Sequence, residues 1–198
     1  MNASPNTMNI PDIRLPMPFI VTGLLMFVAA QGMILASVNP LANGVPQSPT
    51  VLAAAHLFIL GFGVMVALGA MYQLIPVALQ TNIYSTRLGH WQFAFYTVGT
   101  VGLWWGFFDF STMRLVLFGS LTVLSILLFE YNLWQSIKSV KRTAISMAVK
   151  CALVYLLMTV MIGLWMVIDF ISPHLGEWHP RLLYVHILFG LIGWFTLL

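Results

Sequence analysis

Charge is what this sequence has least of: only 7% of its residues are Asp, Glu, Lys or Arg, against 60% hydrophobic ones. A globular domain held in solution by water carries roughly a quarter charged residues. So apolar a chain excludes a water-soluble domain and requires lipid as its solvent. Cysteine is nearly absent too, and the single Cys151 excludes an intrachain disulfide and a CxxC metal site. We read it as a small packing residue. Also missing are the short segments of alternating polar and apolar residues from which a lipid-spanning barrel is built. Finally, no basic stripe is interleaved with exposed aromatics, which excludes nucleic acid as a partner.

What is present is a series of long apolar stretches, rich in Leu, Met, Ala and Gly. Crossing a hydrocarbon core of roughly 30 Å takes about 20 helical residues. Stretches of about that length run from Met17 to Val38, Val51 to Val77, Trp91 to Phe108, Thr112 to Ile137, Ala144 to Phe170 and Arg181 to Leu198. The expected fold is therefore all-α, a polytopic membrane bundle of six helices over 17–198 that follows a loose tail over 1–16. The first stretch is too long for a signal-peptide core, and Asp12 beside Arg14 flanks it, so it reads as a retained helix.

Arg14, Arg87, Lys138, Lys141, Arg142 and Lys150 fall in or beside the tail and the second and fourth loops, all on one side of such a bundle. Only Arg114 and Arg181 fall on the other. The excess of Lys and Arg on cytoplasmic segments puts the N-terminus inside a cell membrane crossed several times, and it accounts for the net charge of +3. The run Lys138 to Arg142 then touches anionic headgroups of the bilayer. His90, beside Trp91, reads as an interfacial anchor.

Ionisable side chains within hydrocarbon are costly, so each is a candidate for function. His56 lies six residues past Thr50 and His186 six past Pro180, at the outer ends of the second and sixth stretches, so each is about 9 Å deep at 1.5 Å per residue. Their surroundings repeat: HLFILGFG from His56 to Gly63 overlays HILFGLIG from His186 to Gly193, with the histidine and the later glycine coinciding. An offset of four helices keeps the two histidine helices parallel, as in a parallel internal repeat. Two neutral imidazoles at one depth are suited to ligating a haem iron axially, with Gly63 and Gly193 making room for the macrocycle and Arg181 pairing with a propionate. The same residues also suit plain helix packing, with each imidazole bonded to a neighbouring carbonyl.

The stretch HLFILGFGVMVALGAMYQLIP, from His56 to Pro76, and YVHILFGLIGWFTLL near the C-terminus together resemble subunit I of haem-copper oxidases, in particular the cbb3-type branch and NnrS-like membrane proteins. That resemblance implies a haem b cofactor, possible copper, and a place in respiratory electron transport as an oxidoreductase. It matches His56 to the second-helix ligand of a low-spin haem, and His186 to a sixth-helix histidine that serves copper. A complete oxidase subunit has roughly twice as many helices. The apolar run ending at Leu198 therefore reads as the N-terminal half of something longer, completed by other respiratory-chain subunits or a second copy of the chain. Two other functions stay open: non-catalytic handling of haem or copper during assembly, and transport of a metal.

The remaining candidates are weaker signals. His174, Glu177 and His179 cluster in the last outer loop and suit copper or zinc. Asp109 and Asp169 lie near outer helix ends. Glu130 lies in the inner part of the fourth stretch, close enough to the inner surface to snorkel or to pair with Lys138. The methionines form no single stripe, and we read them as packing filler rather than as a thioether path for copper.

Overall fold

In a computed structural model, which describes residues 12–198, the chain folds into helices joined by short connections, with no strand among the described residues. Residues 1–11 of the expected tail lie outside them. The first helix, α1, spans Pro16–Ala36. Proline in its first turn has a ring that presets a helical φ and lacks an N–H that would in any case have no intrahelical acceptor. A short helix, Val38–Ala42, leads to α2, which covers Pro49–Ala78 and likewise starts on a proline. Then follow α3 (Thr86–Phe108), α4 (Thr112–Ile137) and α5 (Ala144–Asp169). The last helix, α6, runs as an α-helix over Trp178–Leu188 and continues in another form over Phe189–Trp194.

Local chemistry sets several of these boundaries. Ser85 caps α3 by accepting the Leu88 N–H at 3.1 Å. Thr143 and Ser146 form a reciprocal capping box at the start of α5. Four helices are long and apolar enough to cross a membrane: α1, α2, α4 and α5. The third and sixth expected stretches do form helices but stand apart from this group. Gln92, Tyr96, Thr97, Thr100 and several glycines dilute α3, and α6 has only 11 α-helical residues followed by 6 more. Cys151, expected to pack inside, is exposed on the surface of α5.

Each helix packs on the next. The tightest pair is α3 with α4, where Gly99, Gly102 and Gly106 form one face. A Cβ at Gly99 would lie 2.9 Å from the Thr122 backbone nitrogen, and one at Gly102 would lie 2.1 Å from the Phe118 ring. Small residues at these positions are what let the two backbones approach. The core runs through Phe19, Tyr72, Phe129 and Trp194, all essentially inaccessible. The Tyr72 and Phe129 rings meet edge-on with centroids 5.4 Å apart.

One end of the bundle, carrying residues 79–85 and 138–143, is tied by side chains. Asn132 near the end of α4 donates to the Ser85 carbonyl at 2.9 Å and accepts the Ser85 N–H at 3.0 Å. Ser136, one turn on, accepts the Tyr84 N–H at 2.8 Å, and its own carbonyl takes the Thr81 hydroxyl at 2.8 Å. Backbone groups between α2 and α3 thus find partners that the helices do not provide. The opposite end, with residues 37–48, 109–111 and 170–177, is nearer to the two histidines, and we call it the outer end.

Candidate functional site

His56 closes the first α-helical part of α2, and the helix then changes form over Leu57–Val64. There it is π-helical, each N–H reaching back five residues; Met65 N–H, for example, donates to the Leu60 carbonyl. The same change follows His186, where Phe189–Trp194 is π-helical and Phe195 N–H donates to the Gly190 carbonyl at 3.4 Å. Both segments of the internal repeat thus share a rare backbone form that concentrates at functional sites. In α2 a neighbour supports it: the Tyr96 hydroxyl, from α3, donates to the Leu60 carbonyl at 3.1 Å.

The two imidazoles are held alike. His56 Nδ1 lies 2.8 Å from the Leu52 carbonyl, and His186 Nδ1 lies 2.8 Å from the Thr159 carbonyl of α5. A carbonyl can only accept, so Nδ1 carries the proton in each ring. Nε2 of each neutral ring is left with its lone pair, and makes no hydrogen bond among the described residues. A backbone carbonyl on one nitrogen fixes tautomer and orientation and presents the other nitrogen to a metal. The Phe107 ring stacks on His56 with centroids 4.1 Å apart and 25° between planes.

The glycines act differently from the expectation. The space beside Gly63 is taken by the Phe195 ring, 3.1 Å from where a Cβ would sit, and that beside Gly193 by Tyr155, at 2.5 Å. They join helices and leave no open slot. The glycine that serves an imidazole is Gly163, which the sequence reading passed over: a Cβ there would lie 2.9 Å from His186 Cε1. Gly163 stands one turn beyond Thr159, and its bare face lets the ring reach the Thr159 carbonyl. Nothing in the spacing around Gly163 distinguishes it from a packing glycine, because its partner is 23 residues away and on another helix.

Arg181 holds its guanidinium over the Trp178 ring, 4.9 Å from the centroid. The outer loop is organised by Asp169. Its carboxylate accepts the N–H groups of His174 (2.7 Å) and Leu175 (2.8 Å) and the Nδ1–H of His179 (2.8 Å). Both nitrogens of His174 are engaged, Nε2 accepting the Trp165 indole N–H at 2.8 Å and Nδ1 donating to the Ser172 carbonyl. His174 therefore has no lone pair to offer a metal, while His179 keeps Nε2 open. Among the described residues, no three His, Cys, Asp or Glu side chains cluster as a metal site. Asp109 pairs with Arg114, which also covers the Trp105 ring. Lys138 donates to Gln135 at 2.6 Å, and Glu130 keeps Oε1 buried with no hydrogen-bond partner among the described residues.

Fold and site together describe an all-helical protein with membrane-length apolar helices and two preset imidazoles near one end. No family model, no curated protein and no solved structure matches this chain.

Proposed function

We propose that this chain is a membrane redox protein of six spanning helices, its N-terminus cytoplasmic, that binds haem through Nε2 of His56 and His186. The observation that carries the reading is the pair of Nδ1 bonds to backbone carbonyls, 2.8 Å each, which hold both rings in the tautomer whose Nε2 keeps its lone pair. The resemblance to subunit I of haem-copper oxidases supports His56 as a haem ligand, while it would assign His186 to copper. The donor set fits: neutral imidazole is a common axial ligand of iron, and burial between helices is one of the protein's means of tuning a bound haem. Haem, when bound, supplies one-electron chemistry. The chain's own part is to hold the ring planes, through Leu52, Thr159 and Phe107, and to exclude bulk water. Respiratory electron transfer in a cell membrane, with other subunits or a second copy as partners, is the role that follows.

A second reading, a copper ion on the same two nitrogens, is favoured by the filled spaces at Gly63 and Gly193. Phe195 and Tyr155 occupy the room that a macrocycle would use, whereas a bare ion needs none of it. Assembly or transport functions would work through the same pair.

Purified protein in detergent, supplied with haem, is expected to show a sharp b-type band in its reduced-minus-oxidised spectrum. His56→Ala and His186→Ala should each abolish the band while leaving the helical circular dichroism intact. A spectrum that never develops, together with one copper retained per chain and lost in both variants, moves the assignment to copper. Binding of neither, or binding indifferent to both histidines, overturns the reading.

A further inference from the structure

We infer that the exposed side of α1 is an interface on which a second copy of this chain packs, the two Gln31 side chains pairing across a twofold axis. Helix α1 is long and apolar enough to span a membrane, and Gln31 lies five residues before its outer end. That places the amide about 7.5 Å deep at 1.5 Å per residue. Among the Asn and Gln side chains of the six helices, Gln31 alone is exposed, whereas Gln92 and Asn132 are fully buried. It makes no hydrogen bond among the described residues. Hydrocarbon offers it none, so an amide at this depth calls for a partner from outside the chain.

The residue beside it is anomalous in a second way. Every other glycine inside these helices meets another element: a Cβ at Gly23 would lie 2.6 Å from the Val66 side chain of α2, and one at Gly106 would lie 3.0 Å from that of Leu115. A Cβ at Gly32 would meet nothing within 4 Å among the described residues. Glycine weakens a helix interior relative to alanine, and in a membrane helix it is the residue that admits a close neighbour. Leu25, Val28, Gly32 and Leu35 recur at intervals of three and four residues and so share one face, with Gln31 at its edge. Val28 and Leu35, each one turn from Gln31, are 68% and 74% exposed.

Symmetry identifies the occupant. Copies inserted in one membrane with one orientation are related by an axis along the membrane normal, so their α1 helices run parallel and a residue at the axis meets its own equivalent. An amide carries both a donor and an acceptor, so two Gln31 side chains satisfy each other by reciprocal N–H to carbonyl bonds. A helix of another protein would need a polar group at this same depth. A second copy supplies one by necessity, and a single polar residue in an apolar seam also fixes the register of the pair. The open face at Gly32 lets the two backbones approach. This interface presupposes the membrane span proposed for α1 but needs no metal at His56 or His186, so metal binding and association fail separately.

The test uses the full chain, first in native membranes and then in liposomes. In a Cys151→Ser background, Val28→Cys is expected to give a disulfide-linked dimer on oxidation, and Leu117→Cys, on the exposed side of α4 at a similar distance from the outer end, to give none. In liposomes, donor-labelled and acceptor-labelled chains should transfer energy, and Gln31→Leu should weaken their association about tenfold at unchanged helical circular dichroism. Gln31→Asn, which keeps the amide, should restore most of it. Val28→Cys that links no better than Leu117→Cys overturns the inference and leaves the face to a different helix. So does a Gln31→Leu protein that associates as tightly as the unaltered one.

Discussion

At Gly163 a hydrogen atom in place of a side chain decides where an imidazole sits. The His186 ring fits against α5 because nothing projects from that position, and it thereby reaches the Thr159 carbonyl. Gly163→Val would drive the ring off this carbonyl and turn Nε2 away from its present direction. The expected outcome is loss of the metal-dependent signal as complete as in His186→Ala. The substitution lies on α5, where valine is tolerated in an apolar helix, so circular dichroism should remain that of a folded protein. A Gly163→Val protein that binds metal like the unaltered one would show that His186 is not held as described. Residue-scale chemistry of this kind was only half legible in the sequence. His56 and His186 stood out because ionisable groups are rare in apolar helices. Gly163, Phe107 and Thr159 did not, because each acts through a tertiary contact that leaves no local pattern.

Between elements, the polar lock of Asn132 and Ser136 joins the end of α4 to the connection between α2 and α3. Asn132 satisfies both backbone groups of Ser85, and its amide also lies 3.3 Å from the Tyr72 hydroxyl. Asn132→Leu keeps the branched side-chain shape, with somewhat bulkier ends, but leaves the Ser85 N–H and carbonyl without these partners. A loss of about 1–3 kcal/mol in stability is expected, read as a lower thermal midpoint in detergent, with metal binding at the opposite end unaffected. A midpoint equal to that of the unaltered protein would mean that solvent satisfies Ser85 as well as Asn132 does. The lengths of α1, α2, α4 and α5 were readable because bilayer thickness imposes them on composition. The π-helical form of Leu57–Val64 and Phe189–Trp194 was not readable as such. It left a trace only as the repeat of a histidine followed seven residues later by a glycine. A π-helix differs from an α-helix by the reach of one hydrogen bond, which side-chain periodicity over so short a segment does not record.

For the whole molecule, the distribution of basic residues makes a claim about which way the bundle faces. Lys138, Lys141 and Arg142 surround the connection between α4 and α5, while the connection between α5 and α6 is organised by Asp169 and carries no Lys or Arg. The positive-inside tendency therefore predicts the first of these loops in the cytoplasm and the second outside. Single cysteines test this directly once Cys151, exposed on α5, is replaced in a Cys151→Ser background. Ser172→Cys should react with a membrane-impermeant thiol reagent in intact cells, and Ser139→Cys only after the cells are opened. The reverse pattern would invert the molecule and put both imidazoles near the cytoplasmic face. A metal held there would meet cytoplasmic partners, so the labelling result also decides on which side a donor or acceptor for this protein should be sought.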